Sequence, residues 1–298
     1  MFKFLFLTLI LLSTNVNAAV SQWLEFTNRD GHIVIPIKVA GIQTKAILDT
    51  GAQIHAINQA FLDKYQPKLI KGQKIRVEGV NSIELRQTYD DVPVGMFGAD
   101  IKYDDVALLN FGDAETALII GAGFFSSFIV QIDYPNQKMR IMTRDAIDLQ
   151  SHQNIKFEAQ KGSGRPLVRV KVGKQSIWGL MDTGSTSGML VTRTVAARIG
   201  MLDMDTEKLM VAGVNSSSTT EKTYAAGVEF GPYTLDDVQV IFPEDGETLN
   251  LESQHRVTGT RMRGRKVEAI IGFDVFKHFL LTFDYKGGHM HVSLPEES

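Results

Sequence analysis

Two acids in this chain stand at the ends of closely similar apolar runs. Ala46-Ile47-Leu48-Asp49-Thr50-Gly51-Ala52 in the first half is echoed by Gly179-Leu180-Met181-Asp182-Thr183-Gly184-Ser185 in the second. Each apolar run reads as a buried strand, and the glycine behind the acid lets the backbone turn tightly or another group come close. A carboxylate at the mouth of a buried strand is costly unless something requires it there. Two of them, at matching places in two repeats, suggest one shared site in which Asp49 and Asp182 meet face to face. Carboxyls about 3 Å apart cannot both ionise, so such a pair holds a single proton. The ionised partner is then a general base and the protonated one an acid. Their titration belongs to the pair, and activity is expected to fall at high pH once the shared proton is lost.

The elements that must position these acids can be read in order. Residues 23–26 and His32–Val39 read as strands about an Asn-Arg-Asp-Gly turn, and Pro36 hints that its strand lies at an edge. A turn at Ala40 and Gly41 leads into the strand that ends at Asp49. Residues 58–65 form a helix candidate with Asn58 as N-cap, and 75–85 a hairpin with its tip near Asn81. The apolar run 117–120 ends at Gly121, ahead of a brief helix at 124–128 and a strand at 129–134. The second half replays this order: a strand into Asp182, a helix at 192–199 stopped by Gly200, and a hairpin with the same Gly-Val-Asn-Ser string. Ala269-Ile270-Ile271-Gly272 and then Phe283-Asp284-Tyr285, matching Ile132-Asp133-Tyr134, complete the repeat. So many matches in one order indicate an internal duplication, at a period far too long for a solenoid.

The chain has 298 residues, 44% hydrophobic and 22% charged, with a formal net charge of −3. That length accommodates two lobes and a sizeable core, and the near balance of charge gives no case for nucleic acid or an anionic membrane as partner. Without cysteine there is no disulfide, thiol chemistry or Cys-based zinc site. Lys3, an apolar run to Leu12, and Val16-Asn17-Ala18 have the layout of a secretory signal cut after Ala18; the run is too short to span a membrane. We read 1–18 as a signal peptide, 19–148 as a first lobe and 149–298 as a second, with the boundary in the polar stretch 144–154. The mature protein is expected to be exported, periplasmic or secreted, monomeric and free of the membrane.

Asp-Thr-Gly closing an apolar strand, followed much later by Ile-Ile-Gly, resembles the aspartic proteases of the pepsin and retropepsin group. Asp49 with Gly121 and Asp182 with Gly272 match both elements in both halves, and the resemblance covers essentially all of the mature chain. It implies an all-β fold of two homologous β-barrel lobes with short helices and an active site at the lobe interface. The implied activity is endopeptidase cleavage by a water activated between Asp49 and Asp182, with peptide or protein as substrate and neither cofactor nor metal. Thr50 and Thr183 are similar to threonines that bond across to the opposite lobe, and Gly51 and Gly184 to glycines supporting the carboxylates. Ser185 is the pepsin-like choice, able to bond an outer carboxylate oxygen; Ala52 is the retroviral choice and cannot. The two acids are therefore expected to sit in unequal environments. The hairpins imply two flaps over the substrate, at Gly79, Val80, Asn81 and Ser82 and at Gly213, Val214, Asn215 and Ser216. The alternative from another class is a non-catalytic peptide-binding protein that keeps the cleft.

Lesser signals have plainer readings. The second half carries extra residues within 243–266, with Glu244, Asp245 and Glu247 and then His255, Arg256, Arg261, Arg263, Arg265 and Lys266. We read them as a solvated insertion. His289 and His291 share one strand face but lack further converging ligands for a metal. His55, six positions past the first acid, reads as structural. Ser185 and Ser187 lack the glycine-flanked elbow of a serine nucleophile.

Overall fold

The computed structural model describes residues 19–78, 83–161, 164–212, 217–249, 251 and 264–295. The signal 1–18, both hairpin tips (79–82 and 213–216) and residues 252–263 of the insertion lie outside the described residues. No helix among the described residues is long and apolar enough to cross a membrane.

Strands dominate, and two ten-stranded sheets share one order, element for element. The first runs Ile70–Glu78, Ile83–Asp90, Val106–Leu109, Ala56–Asn58, Thr116–Ile120, Ile42–Leu48, His32–Val39, Val92–Met96, Ala99–Tyr103. The second runs Glu207–Ala212, Ser217–Ala225, Val238–Pro243, Met189–Val191, Ala269–Ile271, Gln175–Met181, Pro166–Val172, Val228–Phe230, Tyr233–Leu235. In each, one further short strand, Thr27–Arg29 or Phe157–Ala159, pairs off this path. The strand leading to each acid lies parallel to the strand ending in Ile-Ile: Leu48 sits opposite Ile120, and Met181 opposite Ile271. Flanked on both sides, such strands must be apolar throughout or alternate inward; Thr44, Ala46 and Leu48 point in while Gln43 and Lys45 face water.

Pro36 is not at the edge of its sheet. His32–Val39 has the acid strand on one side; on the other it pairs with Thr27–Arg29 at His32 to Val34 and with Val92–Met96 at Lys38 and Val39. The proline falls in the gap between those two partners, where its missing N–H costs no ladder bond. The helix at 59–65 begins as expected, with Asn58 accepting from Ala60 N at 3.1 Å. The Asn58 amide also donates to Phe111, Asp113 and Thr116 carbonyls, which explains its complete burial.

A third sheet joins the two halves. Its order is Leu24–Glu25, Lys138–Met142, Ile129–Asp133, Leu280–Asp284, His289–Ser293. The central pair crosses from one half to the other, with Val130 opposite Phe283 and Ile132 opposite Leu281. Gln131 Nε2 donates to Thr282 Oγ1 at 2.8 Å, tying the crossing at its centre. Above it, one continuous core includes Leu48, Phe125, Ile132, Met181, Phe276 and Phe283. The acids thus stand on a floor built by both halves.

Candidate active site

Both acids are held at the ends of their strands by the same bond: Asp49 N donates to Ile120 O at 3.0 Å, and Asp182 N to Ile271 O at 2.9 Å. Directly behind them the threonines exchange four hydrogen bonds across the interface. Thr50 N donates to Thr183 Oγ1 (3.0 Å) and Thr183 N to Thr50 Oγ1 (3.0 Å). Thr50 Oγ1 then donates to Met181 O (2.7 Å) and Thr183 Oγ1 to Leu48 O (2.8 Å). Neither threonine meets solvent, at 0% and 1% exposure. Each hydroxyl is therefore used as donor and acceptor at once, and the two acid loops are locked at one separation.

The glycines are required by close approach. A Cβ at Gly51 would lie 2.5 Å from Asp182 Cγ, and one at Gly184 would lie 2.5 Å from Asp49 Cγ. Each loop therefore packs its glycine against the other half's acid, and the carboxyls of Asp49 and Asp182 share a side-chain hydrogen bond. Burial pushes the Asp182 carboxyl well above the usual carboxylate range. The neighbouring Asp49 charge and the bond between them push the same way; the Gly184 and Gly51 N–H groups oppose it.

The surroundings of the two acids differ, but not through Ser185 as expected. Asp49 Oδ1 accepts from Gly51 N (2.8 Å) and from Ala52 N (2.9 Å). Asp182 Oδ1 accepts from Gly184 N (2.8 Å), while the Ser185 N–H turns to the Asp182 carbonyl at 3.2 Å. The Ser185 hydroxyl pairs with that of Ser187 (3.0 Å), whose burial demands a partner, and not with the carboxylate. Alanine's backbone thus supplies the first acid with a donor that serine does not give the second.

Two tyrosines beneath the loops were not singled out by the sequence. Tyr285 donates its hydroxyl to Thr50 O at 3.3 Å. Its counterpart Tyr134, fixed among Phe26, Phe273 and Phe276, has no partner for its hydroxyl among the described residues. Burial raises both phenols, and the charge of the acid nearest each adds to it. The only signal in the sequence was the shared Asp-Tyr pair at the end of each half.

The remaining candidates scatter. The flap tips fall outside the described residues, but both hairpins' arms are present at matching sheet edges, with Leu85 and Met210 exposed on them. In the insertion, Glu244 pairs with Lys208 at 2.6 Å, and Arg265 reaches Glu158 at 2.7 Å while lying over the Trp178 ring. His291 Nδ1 donates to His152 O, and His289 Nδ1 lies 3.3 Å from Gln153 Oε1. His55 is buried at the first acid loop.

Residues 168–275 match the family described as Aspartyl protease. A solved structure described as the crystal structure of basic 7S globulin from soybean is similar over 93% of this chain and 95% of that one, at a TM-score of 0.47 and 11% identity. No curated protein matches the chain. The matched segment holds Asp182, Thr183, Gly184 and Gly272, and the first half repeats its sheet order around Asp49. The aspartyl protease match thus spans much of the second half, and the first half copies that half's architecture around its own acid.

Proposed function

We propose that this protein is an aspartic endopeptidase, exported to the periplasm or secreted, that works as a monomer with Asp49 as base and Asp182 as acid. The observation that carries the reading is the hydrogen-bonded carboxyl pair on loops locked together by Thr50 and Thr183, with burial first and the Asp49 charge next raising the Asp182 carboxyl. A peptide laid across the interface puts its scissile carbonyl between the acids. Asp182 donates its hydrogen bond to the carbonyl oxygen while Asp49 draws a proton from the attacking water. The water oxygen bonds to the carbonyl carbon as the opening C=O pair takes the Asp182 proton, giving a gem-diol with no covalent enzyme intermediate. As the C–N bond breaks, the proton taken by Asp49 passes to the leaving amine, and Asp182 recovers its own from the collapsing diol. Nothing in this cycle calls for a cofactor. Exposed Leu85 and Met210 on the hairpin arms favour apolar side chains in the substrate, its main chain held extended as an added strand.

The test incubates mature protein with a mixed peptide library from acid to neutral pH, beside Asp49→Asn and Asp182→Asn. Cleavage that disappears in both variants supports the reading. Cleavage surviving in either overturns it, and peptides bound but left intact by the unaltered protein would favour a binding protein instead.

A further inference from the structure

Six positions beyond each acid, the two halves meet one requirement in different ways. The glycine closing each Ile-Ile-Gly run lies under the acid loop. A Cβ at Gly121 would sit 2.5 Å from Ala52 O, and one at Gly272 would sit 2.5 Å from Ser185 O. The residue after each glycine donates to the same loop carbonyl, Ala122 N to Ala52 O at 2.8 Å and Phe273 N to Ser185 O at 2.9 Å. The glycine's own N–H is where they part. In the second half Gly272 N donates to Gly188 O at 2.9 Å. In the first, Gly121 N donates to the imidazole Nδ1 of His55, at 3.2 Å. A titratable side chain has replaced a backbone carbonyl as the anchor of the Asp49 loop.

The ring is fixed for this task. His55 is 8% exposed and stacked on Tyr103, with centroids 3.9 Å apart and planes at 27°. Its own carbonyl accepts from Ala107 N at 3.0 Å. Gly123 leaves room for the other edge, since a Cβ there would lie 2.8 Å from Nε2. With Nδ1 accepting, the neutral ring carries its proton on Nε2. Protonation would put an N–H where the lone pair stands, opposed to the Gly121 N–H. Burial holds the imidazole down at about 4. The titratable group facing it is the Tyr103 phenol, itself pushed up by burial, while the Gly121–Gly123 and Ala107 segments present only backbone and small side chains.

We propose that neutral His55 is a positioning residue for Asp49: it pins the acid loop to the glycine beneath, and its protonation releases that loop, giving the site an acid limit separate from the carboxyl pair. The kinetic part of this inference rests on the peptidase reading; the rest does not.

The experiment has two arms. In the first, kcat and KM are followed between about pH 3 and pH 8 for the unaltered protein, His55→Leu and His55→Asn. His55→Leu leaves a buried N–H without acceptor and should lower kcat about tenfold or more at neutral pH, with KM little changed. His55→Asn, whose Oδ1 can accept, should restore most of that loss and carry activity to lower pH than histidine does. In the second arm, imidazole nitrogen shifts and Gly121 amide exchange are followed by NMR in Asp182→Asn, where no turnover is needed. An Nε2–H ring at pH 6, with Gly121 exchange rising only as the ring protonates, supports the inference. An Nδ1–H or charged ring at pH 6 overturns it, as does a His55→Leu enzyme with an unaltered rate and pH profile. Should no peptide be cleaved at all, the NMR arm decides alone; should His55→Leu not fold, the asparagine variant and the NMR arm do.

Discussion

Thr50→Val is the sharpest test of what holds the two acids together. Valine keeps the branched shape and the packing, so the change isolates the hydroxyl. Thr50 Oγ1 donates to Met181 O at 2.7 Å and accepts from Thr183 N at 3.0 Å, both in surroundings without solvent. Valine leaves one buried carbonyl and one buried N–H unpaired, each worth about 1–3 kcal/mol. The sum is roughly 2–6 kcal/mol, a large part of the 5–15 kcal/mol typical of a folded protein. Thr50→Ser keeps both bonds and loses one methyl, for about 1 kcal/mol. Urea unfolding followed by tryptophan fluorescence would read this, with a midpoint shift of about 1 M or more for valine at a slope of about 2–3 kcal/mol/M. A valine variant within about 0.5 kcal/mol of the unaltered protein, or a serine variant equally damaged, would refute the reasoning. In either case the interface would owe its geometry to the joining sheet and not to the threonines.

Gly184→Ala puts a methyl 2.5 Å from Asp49 Cγ, and Gly51→Ala does the same to Asp182; either should cut kcat by about a hundredfold or more while the protein stays folded, read by peptide turnover beside circular dichroism. Asp182→Asn should abolish cleavage yet raise the melting temperature at neutral and alkaline pH. The raised Asp182 carboxyl binds a proton in the folded state that the unfolded chain gives up, so its contribution is whole in acid and is lost as pH rises through the folded value. Asparagine removes that loss, and a variant no more stable than the unaltered protein at pH 8 would contradict it. Tyr285→Phe loses the hydroxyl bond to Thr50 O and should cost about 1 kcal/mol by urea unfolding, whereas Tyr134→Phe, whose hydroxyl has no partner among the described residues, should cost nothing or stabilise.

Much of this was legible in the chain because it is written twice. The Asp-Thr-Gly and Ile-Ile-Gly pairs marked the acids and the strands beneath them, and their common order gave the repeat that the two sheets show. The cross-lobe role of Thr50 and Thr183 came only from resemblance, since nothing in a threonine's neighbours says which distant carbonyl it will meet. Pairing partners were hidden for the same reason. The repeat matches the strand at 129–134 to the stretch around Phe283 but cannot say that they lie side by side across the halves, a contact between residues far apart in sequence. Pro36 read as an edge residue because local sequence cannot show two partners sharing one flank of a strand. Ser185 misled through chemistry: its hydroxyl suits a carboxylate, but buried Ser187 stands two residues away with the same need. His55 gave no local hint of its role, its partner Gly121 being 66 positions on.

Around the acids, the departures from symmetry fall in the loops. Were the halves identical, as in a dimer of one lobe, the pair would have no reason to prefer the proton on one acid. Here Ala52 gives Asp49 Oδ1 a second N–H donor. Ser185 spends its hydroxyl on Ser187 and its N–H on the Asp182 carbonyl, and so gives the Asp182 carboxyl neither. The Tyr285 bond reaches the Thr50 carbonyl, beside Asp49, while its counterpart Tyr134 makes no such bond among the described residues. The His55 anchor, too, is on the Asp49 side. Three of these differences gather on the side of Asp49, the base in the mechanism proposed above. Duplication within one chain is what allows such a division, because each copy of the acid loop can then change alone.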